Sequence, residues 1–244
     1  IANPLHVLKA VFGGIIGTLS GSKYDKTKYL ETLKMMYELL NRARKEGLMA
    51  LESDSDAPDK SPVFSKYPTF LKDHHALHFV CDTIRMASGG GVEAFDVDQM
   101  MEMDMDTHHH ESGIVVAALS TVADALPGLG IVAAVLGVII TMGALGGPPE
   151  EIGHKVAAAL VGTFLGILLC YGVIGPVAGN MTKASDAERS YYQALRAVIV
   201  AFMKGSPPSL AVEYGRRSIP GDVRPSFQET EKYIKGGGAA APAA

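Results

Sequence analysis

The sequence predicts an all-α integral membrane protein in which a transmembrane helical hairpin is attached to a helical cytoplasmic domain. Two stretches contain no charged side chain, 25 residues from Ala125 to Pro149 and 27 residues from Val156 to Thr182. Each exceeds the roughly 20 residues that an α-helix needs to cross about 30 Å of hydrocarbon. Two glycines and two prolines at 146–149 separate them. Two buried helices of a soluble domain are the alternative, but lipid requires continuous uncharged helix and both stretches supply it.

The composition restricts the partners and the fold further. The 244 residues carry 22 basic and 26 acidic side chains, a net charge of −4 that implies no nucleic-acid partner. A mean hydropathy of +0.17 suits one membrane hairpin joined to polar regions. Cys81 and Cys170 lie in different regions, so no disulfide framework is expected. Because the chain begins without Met, we expect further residues before Ile1.

Helical spacing continues on both sides of the hairpin. Five apolar residues between Tyr29 and Ala43 fall on one helix face, and Ser22 followed by Asp25 resembles a capping box before them. Residues 1–20 are interpreted as the end of an upstream segment or as an interfacial helix. Further helices are expected at about 68–86, at 92–111 leading directly into the first span, at 184–203 and at 211–215.

The basic residues orient the hairpin. Lys183, Arg189 and Arg196 follow the second span, whereas the turn carries only Lys155. Since Lys and Arg favour the cytoplasmic side, both polar regions are placed in the cytoplasm and the turn outside. We therefore expect a cytoplasmic helical region at 1–112, a membrane helix at 113–147, a periplasmic loop at 148–155, a membrane helix at 156–180, a second cytoplasmic helical region at 181–235 and a flexible tail at 236–244.

Neither span contains Asp, Glu, Lys, Arg or His. A proton pathway through lipid requires a group that binds and releases the proton. If the chain serves such a pathway, the carboxylate must therefore come from another subunit.

Small residues favour close contact with such a partner or between the two spans. Gly130, Ala134 and Gly137 lie along one face of the first span, and Gly162 with Gly166 forms a GxxxG pattern in the second. An ordinary packing seam is the simpler interpretation of any single glycine.

Three other residues in the spans have two interpretations each. Pro127 and Pro176 are candidates for helix kinks or mark ordinary helix ends. Thr163 either bonds its own backbone four residues back, as mid-span Thr usually does, or faces an ion path or a partner's carboxylate.

The histidines suggest a metal-dependent membrane enzyme as a rival hypothesis. His74 and His78 are four residues apart beside Asp73, and three consecutive histidines occupy 108–110. Consecutive side chains of a helix point about 100° apart, so the three cannot converge on one ion. No recognisable nucleophile or zinc-protease motif accompanies them. A solvated helix face is the better interpretation, and we expect neither enzymatic activity nor a cofactor.

Several segments resemble the MotA branch of the MotA/TolQ/ExbB proton-channel family. Two of them, Leu126–Gly137 and Val161–Gly172, resemble the third and fourth transmembrane helices of that family. The resemblance extends over nearly the whole chain apart from the tail, and its other segments are Gly21–Tyr24, Ala43–Glu52, Ala211–Arg216 and Arg224–Phe227.

The resemblance implies partners and a cellular location. It implies a stator subunit of the bacterial flagellar motor, a multi-pass protein of the inner membrane with two further membrane helices before those seen here. Such subunits form a pentamer around two copies of a MotB-like subunit, whose membrane aspartate carries the ion, and they act on the rotor protein FliG. An energiser of outer-membrane transport or envelope integrity, similar to TolQ or ExbB, is the alternative within the same family.

The resemblance also implies roles for particular residues. Pro127 and Pro176 match prolines that couple protonation to conformational change, and Thr163 matches a threonine facing the ion path. Ala134 stands where sodium-driven relatives usually carry Thr, which favours H⁺ as the transported ion. Arg44 and Glu52 match a charged pair that contacts the rotor; on a continuous helix they would lie roughly 80° apart around the axis. Without the resemblance, both are ordinary solvated surface charges.

Overall fold

The computed structural model describes residues 3–18, 21, 23–143 and 146–236, which are helical without strands. The α-helices in chain order are α1 Leu5–Thr18, α2 Lys26–Glu46, α3 Glu52–Asp56, α4 Pro68–Leu71, α5 His74–Ser88, α6 Ala94–Met142, α7 Pro149–Leu168, α8 Gly175–Met203, α9 Pro208–Ser218 and α10 Phe227–Lys235. Short 3₁₀ turns occupy Leu48–Leu51, Pro58–Lys60 and Phe64–Lys66, and a π-helical turn occupies Leu169–Ile174.

The chain divides into two compact units. The hairpin unit comprises residues 1–21 and 110–185, and the core unit comprises residues 22–109 and 186–244. Helices α6 and α8 each contribute residues to both units.

Helix α2 organises the hydrophobic interior of the core unit. The five apolar positions predicted to share one face, from Tyr29 to Ala43, are all buried, which confirms that helix. The predicted cap residue Ser22 lies outside the described residues; Asp25 caps the helix, its carboxylate accepting from the Lys28 amide at 2.8 Å. The largest fully buried side chains of this unit include Tyr29, Tyr191, Phe64, Met35, Met36, Leu39, Met101 and Leu195.

Two helices of the core unit differ from the expectation. The predicted helix at 68–86 is broken after Leu71, because Asp73 caps the start of α5 with its side chain on the Ala76 amide. Helix α10 was not predicted, although Ser226 and Glu229 form a reciprocal capping box at its start. The nine residues of α10 were too few to show a clear helical period in the sequence.

The hairpin unit contains the two long apolar helices. Helix α6 continues from the acidic stretch into the first span without interruption, as predicted. Helix α7 begins at Pro149, so the residues expected as loop at 149–155 form its first turns. Helix α7, the π-helical turn and α8 follow one another from Pro149 to Met203, 55 residues in all.

Most of the apolar surface of these two helices is uncovered. Only 11% of the most apolar window of α6 and 17% of that following Pro149 are buried. Side chains such as Leu129, Ile139, Leu160 and Phe164 are exposed. A core helix of a soluble domain would be mostly buried, whereas helices that face lipid and partner helices expose apolar side chains in this way. The soluble alternative is therefore disfavoured.

Candidate functional site

Helices α6 and α7 approach each other backbone to backbone at Gly130. A β-carbon at Gly130 would lie 3.0 Å from both the Gly162 carbonyl oxygen and the Thr163 Cα. A β-carbon at Gly162 would lie 2.8 Å from the Ala133 Cβ. In lipid, where packing drives helix association, only small residues permit such an approach.

The same seam extends one helical turn or more to either side. A β-carbon at Gly166 would lie 2.5 Å from the carbonyl oxygen of Leu126. One at Gly137 would lie 2.2 Å from the Ala159 Cβ and 2.8 Å from the Ala159 Cα. The glycines singled out in the sequence thus lie along the α6–α7 contact, in the order that an antiparallel hairpin demands. Ala134, one turn beyond Gly130 on α6, is half-buried.

Thr163 connects the two helices by a hydrogen bond. Its hydroxyl donates to the Gly130 carbonyl oxygen at 3.0 Å. The prediction that Thr163 bonds its own backbone four residues back is therefore wrong. The carbonyl of a close-packed glycine has no side chain beside it, so a hydroxyl on the facing helix can reach it. The bond thus gives the hydroxyl an acceptor in hydrocarbon, where an unpaired hydroxyl costs about 1–3 kcal/mol.

Both prolines lie within helices rather than at ordinary helix ends. Pro127 is inside α6, where it has no N–H for the carbonyl of Ala123 four residues earlier. Pro176 is the second residue of α8, one residue after the π-helical turn Leu169–Ile174, and so lies inside the continuous helical run Pro149–Met203. A wider turn before a proline makes room for its ring, and π-turns often occur at functional positions.

Arg44 and Glu52 are both exposed and lie on different helices. Arg44 is in the last turn of α2, and Glu52 is the first residue of α3. Gly47, at φ +88°, ends α2, so the assumption of one continuous helix was wrong. Among the described residues, neither charge has an ion-pair partner, which leaves both available to another protein.

A buried carboxylate holds α3 against α2. The Arg42 Nη1 lies 2.9 Å from each carboxylate oxygen of Asp54, and Asp54 is only 2% exposed. The Arg42 pKa is raised by its hydrogen bond to Glu46 and by the charge of Asp54. This pair was not predicted from the sequence, because opposite charges 12 residues apart do not have the spacing of neighbours on one helix face.

Of the histidines singled out in the sequence, His74, His78, His108 and His109 lie in the core unit, and His110 belongs to the hairpin unit. His108 Nε2 lies 3.4 Å from a carboxylate oxygen of Glu188, and its ring packs on His75 and Tyr192. Burial alone would raise the Glu188 pKa, but hydrogen bonds from His108 and Tyr24 bring it below the ordinary value. No group of three potential ligands among His, Cys, Asp and Glu is assembled within the described part of the chain.

Two family models match this chain. The model of the MotA/TolQ/ExbB proton channel family matches residues 72–194, which include α6 and α7 and their contact. The model of the motility protein A N-terminal region matches residues 1–47. The chain belongs to the MotA/TolQ/ExbB proton channel family.

The relatives define its place within that family. Motility protein A of Salmonella typhimurium is 36% identical over 235 residues, 96% of this chain and 80% of the relative. Motility protein A of Escherichia coli is 36% identical over 214 residues, 88% of this chain and 72% of the relative. A solved structure titled "Structure of C. jejuni MotAB" shares the fold with a TM-score of 0.73 at 18% identity, over 93% of this chain and 80% of that one. This family member is thus a flagellar stator subunit of the motility protein A type, and a membrane protein, rather than a TolQ or ExbB.

Proposed function

We propose that the chain forms, with a MotB-like partner in the bacterial inner membrane, an ion channel that converts ion-motive force into torque on the rotor. The observation that carries this proposal is the absence of Asp, Glu, Lys, Arg and His from 125–149 and 156–182. A pore wall without such a group requires an acid from elsewhere to bind the ion. The relatives' structure, titled MotAB, supports a MotB-like subunit as its source.

In the proposed channel, the close contact between α6 and α7 makes the two helices move together as one wall of the ion site. Gly130, Gly166 and the Thr163 hydrogen bond hold the helices too close for independent sliding. Pro127 and the π-helical turn before Pro176 are places where the backbone ladder is already interrupted, so bending there breaks fewer hydrogen bonds. Protonation of the partner's aspartate would bias the helices between two packings by bending at these places. Ala134 offers no oxygen ligand to sodium, which favours H⁺ as the ion.

The assembly follows from the uncovered apolar surface. Helices α6 and α7 leave it to be covered by lipid, by copies of this chain and by the partner. A ring of five copies around two copies of the MotB-like subunit is the arrangement that the family resemblance implies.

The exposed pair Arg44 and Glu52 would contact the rotor protein FliG. The two side chains carry opposite charges and have no ion-pair partner within the described residues, so a rotor surface with the complementary pattern would bind both. Charge complementarity of this kind sets register and association rate.

Charge reversal tests the rotor contact. The variant Arg44→Glu with Glu52→Arg should lose most of its stall torque, because each reversed charge would face a like charge on a rotor surface complementary to the parent pair. Lys72→Glu with Glu93→Lys is the matched control, since both residues are exposed charges of the core unit. Torque would be measured by bead rotation in cells lacking the native subunit. Equal torque in the two variants would refute the contact, and rotation that needs sodium and survives a protonophore would refute H⁺ as the ion.

A further inference from the structure

An ion pair between the half-buried Arg42 and the buried Asp54 joins the two segments that carry the exposed charges. Arg42 precedes Arg44 by two residues on α2, and Asp54 follows Glu52 by two residues on α3. The Nη1 atom of Arg42 donates to both oxygens of Asp54 at 2.9 Å. The chain between them is Gly47 followed by the 3₁₀ turn Leu48–Leu51. The ion pair is thus a direct link between α2 and α3.

The carboxylate of Asp54 is in an unusual place for a charge. It is 2% exposed, beside Leu51 at 1%. A buried ion pair contributes little net stability, because desolvation of both charges offsets their attraction, and well-packed apolar residues of similar size often serve stability equally well. An ion pair adds geometric specificity instead. Its hydrogen bonds permit one relative placement of two segments, whereas apolar packing permits several.

The other side-chain hydrogen bonds of this segment go to α5. Ser88 Oγ donates to the Leu48 carbonyl oxygen at 3.0 Å, and Arg85 donates to the Ser55 carbonyl oxygen and, at 2.9 Å, to Asp56. The 3₁₀ turn also packs against α2, with Leu51 in the shared hydrophobic core. Among the hydrogen bonds of the described residues, those of the Arg42–Asp54 pair alone link α3 to α2.

We infer that Arg42 and Asp54 are positioning residues for torque generation, which hold Arg44 and Glu52 at the separation and orientation that the rotor surface recognises. The inference rests on the rotor contact proposed above. Asp54 is buried and does not touch the rotor. It acts through the backbone of α3, by placing Glu52 relative to the last turn of α2.

Two variants of the intact stator complex test the inference. Asp54→Asn removes the charge and keeps the shape. The double variant Arg42→Met with Asp54→Leu removes both charges, so no buried charge is left unpaired and folding is retained. Glu46→Gln is the matched control, because Glu46 accepts from Arg42 Nε at 3.0 Å on the exposed side and does not link α2 to α3. Readouts are stall torque, the unfolding temperature of the purified complex and its ion conduction in liposomes.

The positioning role predicts loss of torque in a folded, conducting complex. Stall torque should fall severalfold in both test variants and stay close to the parental value in the control. Conduction and the unfolding temperature of the double variant should match the parent. A double variant with parental torque would overturn the inference, because the pair would then serve stability alone. If Asp54→Asn does not assemble, the double variant decides.

A third variant separates this inference from the rotor contact itself. Arg44→Ala with Glu52→Ala should lose torque. Adding Arg42→Met with Asp54→Leu to that variant should reduce torque no further, because the charged side chains that the ion pair positions are then already absent. Parental torque in Arg44→Ala with Glu52→Ala would refute both the proposed rotor contact and the inference. Loss of torque in that variant, together with parental torque in the Arg42→Met and Asp54→Leu variant, would refute the inference alone.

Discussion

At Gly166 the contact between α6 and α7 leaves no room for an added β-carbon. A β-carbon there would lie 2.5 Å from the Leu126 carbonyl oxygen and 3.4 Å from the Gly130 Cα, and both are backbone atoms that cannot rotate away. In Gly166→Ala, α6 and α7 must therefore separate by about 1 Å at this point to restore ordinary contact. The Thr163 hydrogen bond to Gly130, now 3.0 Å long, would stretch beyond bonding distance.

The expected cost follows from two opposed effects. Overpacking of a close contact costs roughly 1–3 kcal/mol, whereas Ala in place of Gly inside a helix gains up to about 1 kcal/mol. Gly166→Ala should therefore destabilise the hairpin by about 1–2 kcal/mol net. Gly153→Ala on the same helix has no atom within 4 Å of the added carbon. It should therefore show only the stabilisation that Ala brings to a helix in place of Gly.

Thermal unfolding of the two variants measures this difference. Each would be purified as the complex with its MotB-like partner in detergent, and helix content would be followed by circular dichroism at one heating rate. Gly166→Ala should unfold roughly 5 °C below Gly153→Ala, at the 2–4 °C per kcal/mol typical of chains of this length. If Gly166→Ala unfolds at or above Gly153→Ala, the backbone contact between α6 and α7 is not the one described.

Three further predictions concern single side chains. Thr163→Val should lower the unfolding temperature of the complex by a few degrees, because about 1 kcal/mol of stability is lost with the hydroxyl. Thr163→Ser keeps the hydroxyl and should match the parent. An equal loss in both variants would refute the hydrogen bond. Pro176→Ala should let the π-helical turn relax to α-helix, seen as slower amide hydrogen exchange at Leu169–Ile174, and unchanged exchange would contradict this. The Glu213 pKa is lowered to about 2 by hydrogen bonds from Arg216 and Arg217, below the ordinary 4.5. Its contribution to stability is therefore complete above about pH 4.5 and lost as the pH falls to about 2, so Glu213→Gln should destabilise the protein at pH 7 and not at pH 2; a constant difference would show that the charge is irrelevant.

The sequence predicted those features that depend on short-range patterns. The absence of charge over 125–149 and 156–182 identified the hairpin, and the spacing from Tyr29 to Ala43 identified α2, because burial in lipid and burial of one helix face each leave a local signature. The glycines of the α6–α7 seam were identifiable for the same reason, since close helix approach needs small residues at fixed spacing.

Features that depend on contacts between distant segments could not be predicted from short-range sequence patterns. Thr163 bonds a carbonyl 33 residues away, and Arg42 meets Asp54 across a turn whose shape is set by Gly47 at positive φ. Local spacing showed that Gly47 interrupts a pattern. It did not show that the chain turns there and separates Arg44 from the helix that begins at Glu52. The roles of Pro127, Ala134, Thr163 and Pro176 in ion coupling stay predictions.

Ion flux through reconstituted subunits tests the central claim most directly. Liposomes with an imposed proton gradient would contain this subunit alone, the complex with its MotB-like partner, or the complex in which the partner's membrane carboxylate is replaced by an amide. Because the two spans of this chain contain no Asp, Glu, Lys, Arg or His, only the unaltered complex should carry protons above the rate of empty liposomes. Proton flux through the purified subunit alone, or through the amide complex at the parental rate, would contradict a pore wall that depends on a partner's acid.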